Sequence, residues 1–259
     1  MDLNAETRKL YSWIAQVLVQ IGNLVLRLLW HLVHFAISIW YFALGIANKI
    51  ESYLISSGLL KSYKALNAGK LKYLAIVVES EEAYQISKVI ELLQWLTTIG
   101  VKNACLYDAE GVLKKSKEVI LGKLSNATLF EEADKNDSLL DEKHITLEFA
   151  SLSDGKEAVA KAANLLLAKY SKFTSFGGDQ EEQTFTEAHL TEALGTIGCQ
   201  GPEIDLLLVY GPERCHLGFP AWRLRYTEIL HMGPLNSMSY GFLIKAIHKF
   251  TTVRQNYGK

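Results

Sequence analysis

Cysteine is scarce: three residues in 259, Cys105, Cys199 and Cys215, widely separated and without a CxxC pair. That argues against a disulfide framework and a structural zinc site, and it fits a reducing compartment. Proline is nearly as rare, with four residues and no Pro/Ser-rich tract, so long disorder is not expected. An excess of one charge is also missing. A net charge of -1 gives the molecule as a whole no pull toward nucleic acid. What is present is apolar, 49% of the chain. Such a chain suits one globular domain of roughly 200 residues plus a further segment.

The further segment is N-terminal. From Trp13 to Ile50 the sequence is almost wholly apolar, with Arg27, His31, His34 and Lys49 as the main exceptions. Leu28 to Ala47 is long enough as a helix to cross a hydrocarbon core of about 30 Å. Trp30, Trp40 and Tyr41 add interfacial aromatics. The run is too long and begins too late for a cleaved signal peptide. A buried core helix or an in-plane hairpin is the competing reading. His31 and His34 share a helix face without a carboxylate nearby, so they read as packed side chains rather than metal ligands. Arg8 and Lys9 precede the span, whereas Lys49, Lys61, Lys64, Lys70 and Lys72 follow it. That balance places the C-terminal flank in the cytosol. Two sequons, at Asn126 and Asn136, would then carry no glycan.

The expected division is an anchoring segment over 1–50 with its span at about 28–47, a linker over 51–69, and an α/β domain over 70–259. Tyr73 to Glu79 is a continuous apolar run, as in a strand covered on both faces. Ser80 is placed to cap a helix whose apolar residues Ile86, Val89, Ile90, Leu93 and Leu96 recur at helical spacing, and Gly100 ends it. A strand at Ala104 to Tyr107, a helix over about 110–124, a polar loop over 131–143 and a strand at Ile145 to Ala150 follow. A helix from Lys156 to Tyr170, a loop around Gly177-Gly178, a helix from Thr186 to Leu194, a strand at Leu206 to Tyr210 and a last helix from Tyr240 to Val253 complete the reading. Strands alternating with helices predict a mostly parallel sheet with helices on both faces. Ligands of such folds bind beyond the carboxyl ends of strands, here Glu79 and Gly211.

The block Asp205 to Glu228, DLLLVYGPERCHLGFPAWRLRYTE, resembles a cis-prenyltransferase signature: DLLIRTGGE, then RxSNF, then Trp and an acidic residue. Asp205, Leu206, Leu207, Gly211, Glu213, Phe219, Trp222 and Glu228 stand in register with it. The first strand also resembles that family's. Active members continue that strand with Asp-Gly-Asn-Arg, the Asp handling magnesium diphosphate; this chain has Glu79-Ser80-Glu81-Glu82. At the second site the family's phosphate-binding arginine is Val209, the second glycine is Pro212, and the later Arg and Ser are Cys215 and Leu217. Carboxylates in place of cations repel a diphosphate, so the resemblance implies a site without catalytic residues of its own and without a metal.

A dead, membrane-anchored homologue is what the Nogo-B receptor family resembles. The resemblance implies a catalytic cis-prenyltransferase partner, in a heterodimer or higher assembly, at the endoplasmic reticulum membrane with the globular domain facing the cytosol. Its product is dehydrodolichyl diphosphate, and magnesium sits in the partner's active site. The family's Arg-x-Gly tail reaches that site; here the chain ends Asn256-Tyr257-Gly258-Lys259, with Asn for Arg. Asn256 and Gly258 would act in trans, and all four tail residues would touch isopentenyl diphosphate in the shared site. Trp222, Arg223, Arg225, Tyr226 and Glu228 fall where the family builds its dimer interface. Two alternatives remain open. One is a self-sufficient, divergent prenyltransferase using Glu79 and Glu228 for magnesium, and the other is a membrane receptor or lipid-binding scaffold.

Overall fold

The structure, a computed structural model, describes residues 3–60, 63, 66, 68–130, 144–174, 185–199 and 201–253. The expected loops over 131–143 and around Gly177-Gly178, Lys61, Lys64, the sequon at Asn136 and the tail Asn256 to Lys259 lie outside these residues. The chain forms two compact units, Met1–Tyr53 and Leu54–Lys259.

The first unit is made by helix α1 (Leu3–Ser56), 54 residues without a proline. The expected span over 28–47 is thus part of a much longer helix. Leu18, Leu24, Trp30, Phe35 and Phe42 are each at least 60% exposed, which is lipid-like rather than core-like placement. Among the described residues, α1 is the helix long and apolar enough to cross a membrane.

The second unit is built on six parallel strands in the order β3-β4-β2-β1-β5-β6. These are β1 (Leu74–Val78), β2 (Asn103–Tyr107), β3 (Ala127–Leu129), β4 (Ile145–Ala150), β5 (Leu206–Tyr210) and β6 (Glu228–Gly233). All five residues of β1 have no exposed surface, which accounts for their unbroken apolar character. Alternate side chains feed two cores. Leu74, Ile76 and Val78 join a cluster with Val89, Leu92 and Leu96 of α3 (Ile86–Ile99), Ile120 of α5 (Lys117–Lys123), and Leu243, Ile247 and Phe250 of α8 (Tyr240–Thr252). Ala75 and Val77 join Tyr73, Cys105, Tyr107, Leu207, Val209 and Phe219 on the opposite face. A third cluster joins α6 (Lys156–Thr174) to α7 (Glu187–Thr196) through Ala158, Ala162, Leu166, Ala193 and Leu194.

Three local expectations change. Ser80 does not cap the helix of Ile86. It is the first residue of a separate turn, α2 (Ser80–Ala83), and its Oγ accepts the Glu110 N–H at 3.2 Å. The helix expected over 110–124 is two, α4 (Val112–Lys115) and α5, because Ser116 leaves helical geometry at φ -94°, ψ 9°. Strands β3 and β6 were not foreseen. They lie at the two edges of the sheet, where half-exposed positions carry Glu228, His231 and Thr128 and break the apolar run.

Candidate functional site

The order of the sheet reverses between β1 and β5. β1 leads to β2 on one side, while β5 and β6 lie on the other. Crevices form at such switch points, and here the chain leaves β1 at Glu79 and β5 at Gly211. The two leave side by side. Glu79 N–H donates to Tyr210 O at 3.0 Å, and Gly211 N–H donates to Gly233 O at 3.1 Å. Gly211 has φ +150°, and a Cβ there would stand 3.1 Å from the Glu79 Cβ, so backbone conformation and space both require glycine. His231 Nε2 lies 2.7 Å from Gly211 O, and since a carbonyl only accepts, this ring nitrogen carries a proton.

Around Glu79 the charge has one sign. Burial, and then the carboxylates of Glu81, Glu82 and Glu213, raise its carboxyl above the ordinary glutamate value. Glu82 is already engaged, as its Oε2 accepts the Leu235 N–H at 2.7 Å. Among the described residues, no three His, Cys, Asp or Glu side chains converge on a metal position.

The segment after β5 folds back over the carboxyl ends of the strands. Phe219 is buried and meets the Tyr107 ring edge-on at 5.4 Å between centroids. Tyr107 Oη donates to Leu217 O at 3.0 Å, and Leu217 sits at φ +49°. Gly218 O and Gly155 approach so closely that a Cβ on Gly155 would lie 3.0 Å from that oxygen. Asp108, fully buried at the end of β2, accepts the N–H groups of Val112 and Leu113 at 2.8 and 2.9 Å and starts α4. These contacts fill space beside the crevice with protein.

The five residues expected at an interface do not share one surface. Trp222 is half-buried and packs into the α6/α7 cluster, with its Nε1 buried and unpaired. Arg223 is 3% exposed; it grips Glu148 through both Nη atoms at 2.7 Å and donates from Nε to Pro202 O at 3.0 Å. Arg225 and Tyr226 face outward together, guanidinium 5.5 Å from the ring centroid, with Glu187 3.5 Å from Arg225. Glu228 opens β6 and meets Lys249 at 3.5 Å.

Two cavities were missed by sequence reasoning. One, of about 370 Å³, lies between edge strand β6 and α8 and is lined by Leu230, Met232, Phe242, Lys245, Ala246 and Lys249. Its only sequence signal was the apolar stripe of α8. The other, of about 510 Å³, lies over β4, where its main charges are already paired, Lys114 with Asp154 at 2.9 Å and Arg223 with Glu148.

No family model matches the chain. It is 24% identical over 202 residues to the dehydrodolichyl diphosphate synthase complex subunit NUS1 of Homo sapiens, covering 71% of this chain and 65% of that one. The corresponding subunit of Schizosaccharomyces pombe is 25% identical over 206 residues, covering 73% and 77%. The chain thus spans about two thirds of the human relative's length. Among solved structures, lavandulyl diphosphate synthase from Lavandula x intermedia, in complex with dimethylallyl diphosphate, superposes with a TM-score of 0.53 at 13% identity. That match covers 73% of this chain and 98% of the synthase. The chain is therefore similar in sequence to the NUS1 subunits of dehydrodolichyl diphosphate synthase complexes, and its α/β unit shares the fold of lavandulyl diphosphate synthase.

Proposed function

We infer that this protein is the non-catalytic, membrane-anchoring and activating subunit of a heteromeric cis-prenyltransferase that makes long-chain polyprenyl diphosphate for dolichol synthesis and protein glycosylation. The observation that carries this reading is the charge where β1 and β5 end. The charges that act on Glu79 are Glu81, Glu82 and Glu213, and each makes it harder to ionise. A diphosphate needs fixed cations or N–H donors at that position. Here it would meet carboxylates, so isopentenyl diphosphate and magnesium belong to the partner's site.

In this reading α1 holds the complex at the endoplasmic reticulum membrane, and the α/β unit faces the cytosol. Arg225, Tyr226, Glu228 and the β6/α8 cavity contribute to the surface that meets the catalytic subunit, an edge strand with Ile229 48% exposed. Trp222 and Arg223 support that surface from within. The tail Asn256, Tyr257, Gly258 and Lys259 enters the partner's site in trans. Asn256 supplies hydrogen bonds there, and Lys259 a charge.

The test is an elongation assay with farnesyl and isopentenyl diphosphates, on the purified chain alone and with its catalytic partner. Turnover is expected only in the complex, and turnover by the chain alone sinks the reading. Deleting Asn256 to Lys259 should leave the complex intact on gel filtration and lower kcat at least tenfold. Unchanged kinetics would remove the tail from the site.

A further inference from the structure

The longest element carries the sharpest pattern. Between Trp13 and Lys49, Gln16, Gln20, Asn23, Arg27, His31, His34, Ser38, Asn48 and Lys49 all fall within an arc of about 100° around the axis of α1. The other positions in that arc are Trp13, Trp30, Tyr41 and Gly45: three aromatics with a polar atom and one residue without a side chain. Outside the arc, every position is Ala, Gly, Val, Leu, Ile, Phe or Trp. Trp30 and His34 touch along the stripe at 4.3 Å between centroids, and Ser38 satisfies its own hydroxyl by donating to His34 O at 2.8 Å.

The stripe does not drift. Gln16 and His34 stand about five turns apart at the same azimuth, and so do Gln20 and Ser38. A seam between supercoiled helices follows a 3.5-residue period and would wander by about 20° per heptad on a straight helix. A stripe parallel to the axis matches a flat boundary. Length points the same way. The apolar stretch from Trp13 to Ile50 has 38 residues, about 57 Å of helix against about 30 Å of hydrocarbon. To cross with all of it buried, the helix would tilt by about 60°, beyond the range in which spanning helices are found. No proline offers a kink.

We propose that α1 lies in the plane of the membrane, its polar stripe toward the headgroups and the remaining face sunk among the acyl chains. This rests on the reading of α1 as the anchor and replaces a single crossing at 28–47. Trp13, Trp30 and Tyr41 sit at the headgroup level, where amphipathic rings belong. Arg27 and Lys49 are the only full charges between Trp13 and Lys49. Apolar burial therefore holds the helix, and zwitterionic lipid suffices.

The test uses the full-length chain. A glycosylation acceptor tag is fused to its N-terminus for expression in microsomes. In phosphatidylcholine vesicles, nitroxide labels are placed one at a time at Asn23 and Ser38 on the stripe and at Val25 and Ile39 opposite. The tag should stay unglycosylated and open to external protease. Labels on the stripe should be several-fold more accessible to a water-soluble relaxant than the opposite pair, with the same depth within each pair. A glycosylated tag means a crossing, which overturns the geometry but leaves the anchor standing. An unglycosylated tag with Ser38 as deep as Ile39 means a hairpin and also overturns it. A chain that does not float with the vesicles overturns the anchor itself.

Discussion

Two groups of charged residues lie on the same sheet and are solved in opposite ways. Over β4, the carboxylate of Glu148 is matched: Arg223 grips it with two bonds at 2.7 Å, and the Tyr73 hydroxyl donates a third at 2.7 Å. At the carboxyl ends of β1 and β5, Glu79, Glu81, Glu82 and Glu213 face one another without a matching cation in any interaction that shifts Glu79. The first arrangement is one that folding selects, because a buried charge without a partner is expensive. In the second, like charges oppose the ionisation of Glu79, while Glu82 is held by the Leu235 N–H. The difference is between charge matched by an opposite charge and charge of one sign.

The largest expected effect comes from breaking the matched group. Arg223→Leu leaves Glu148 half-buried without its cation, and Tyr73, whose hydroxyl is pushed far up by burial first and by Glu148 second, cannot replace it. The expected loss is about 3–5 kcal/mol in urea unfolding. Replacing both partners, Arg223→Met with Glu148→Met, should restore most of it. A neutral Arg223→Leu would show that the pair does not hold the segment 199–224 to the sheet.

This comparison also shows what was legible. β1 and β5 could be read because both faces are covered and no polar residue interrupts them. α3 was legible because its apolar residues keep helical spacing and Gly100, at φ +94°, ends it. The identities of Glu79, Ser80, Glu81, Glu82 and Val209 marked the departure from the resembled signature directly. Arg223 was misleading in isolation, since Arg beside Trp is the composition of an interface as well as of a buried pair. Its partner Glu148 is 75 residues away, and only the β2–β4 register places it within reach. The break between α2 and α3 was hidden for a similar reason. Ser80 serves Glu110, thirty positions on, and Glu82 serves Leu235, and such bonds leave no local pattern.

A middle-sized effect is expected where the two strands leave the sheet. Gly211→Ala places a Cβ 3.1 Å from that of Glu79 and forces a side chain to φ +150°. About 1–3 kcal/mol should be lost, read as a lower denaturation midpoint with an unchanged slope. Tolerance without loss would mean the crevice is looser than its geometry.

The smallest effect tests the unmatched group by its sign. Glu79 has a folded-state pKa raised above that of the unfolded chain, by burial first and then by Glu81, Glu82 and Glu213. The native state therefore holds more proton than the unfolded state between the two values, and stability falls as pH rises through that window. At neutral pH the ionised Glu79 opposes folding, so Glu79→Gln should raise Tm slightly. The gain should vanish as pH drops below the ordinary glutamate range, where the native side chain is itself neutral. Added salt should shrink it too, because the repulsion is partly exposed to water. A gain constant across pH would come from packing rather than charge, and a loss at neutral pH would require a cation beside Glu79. That second outcome would also restore a place for a diphosphate.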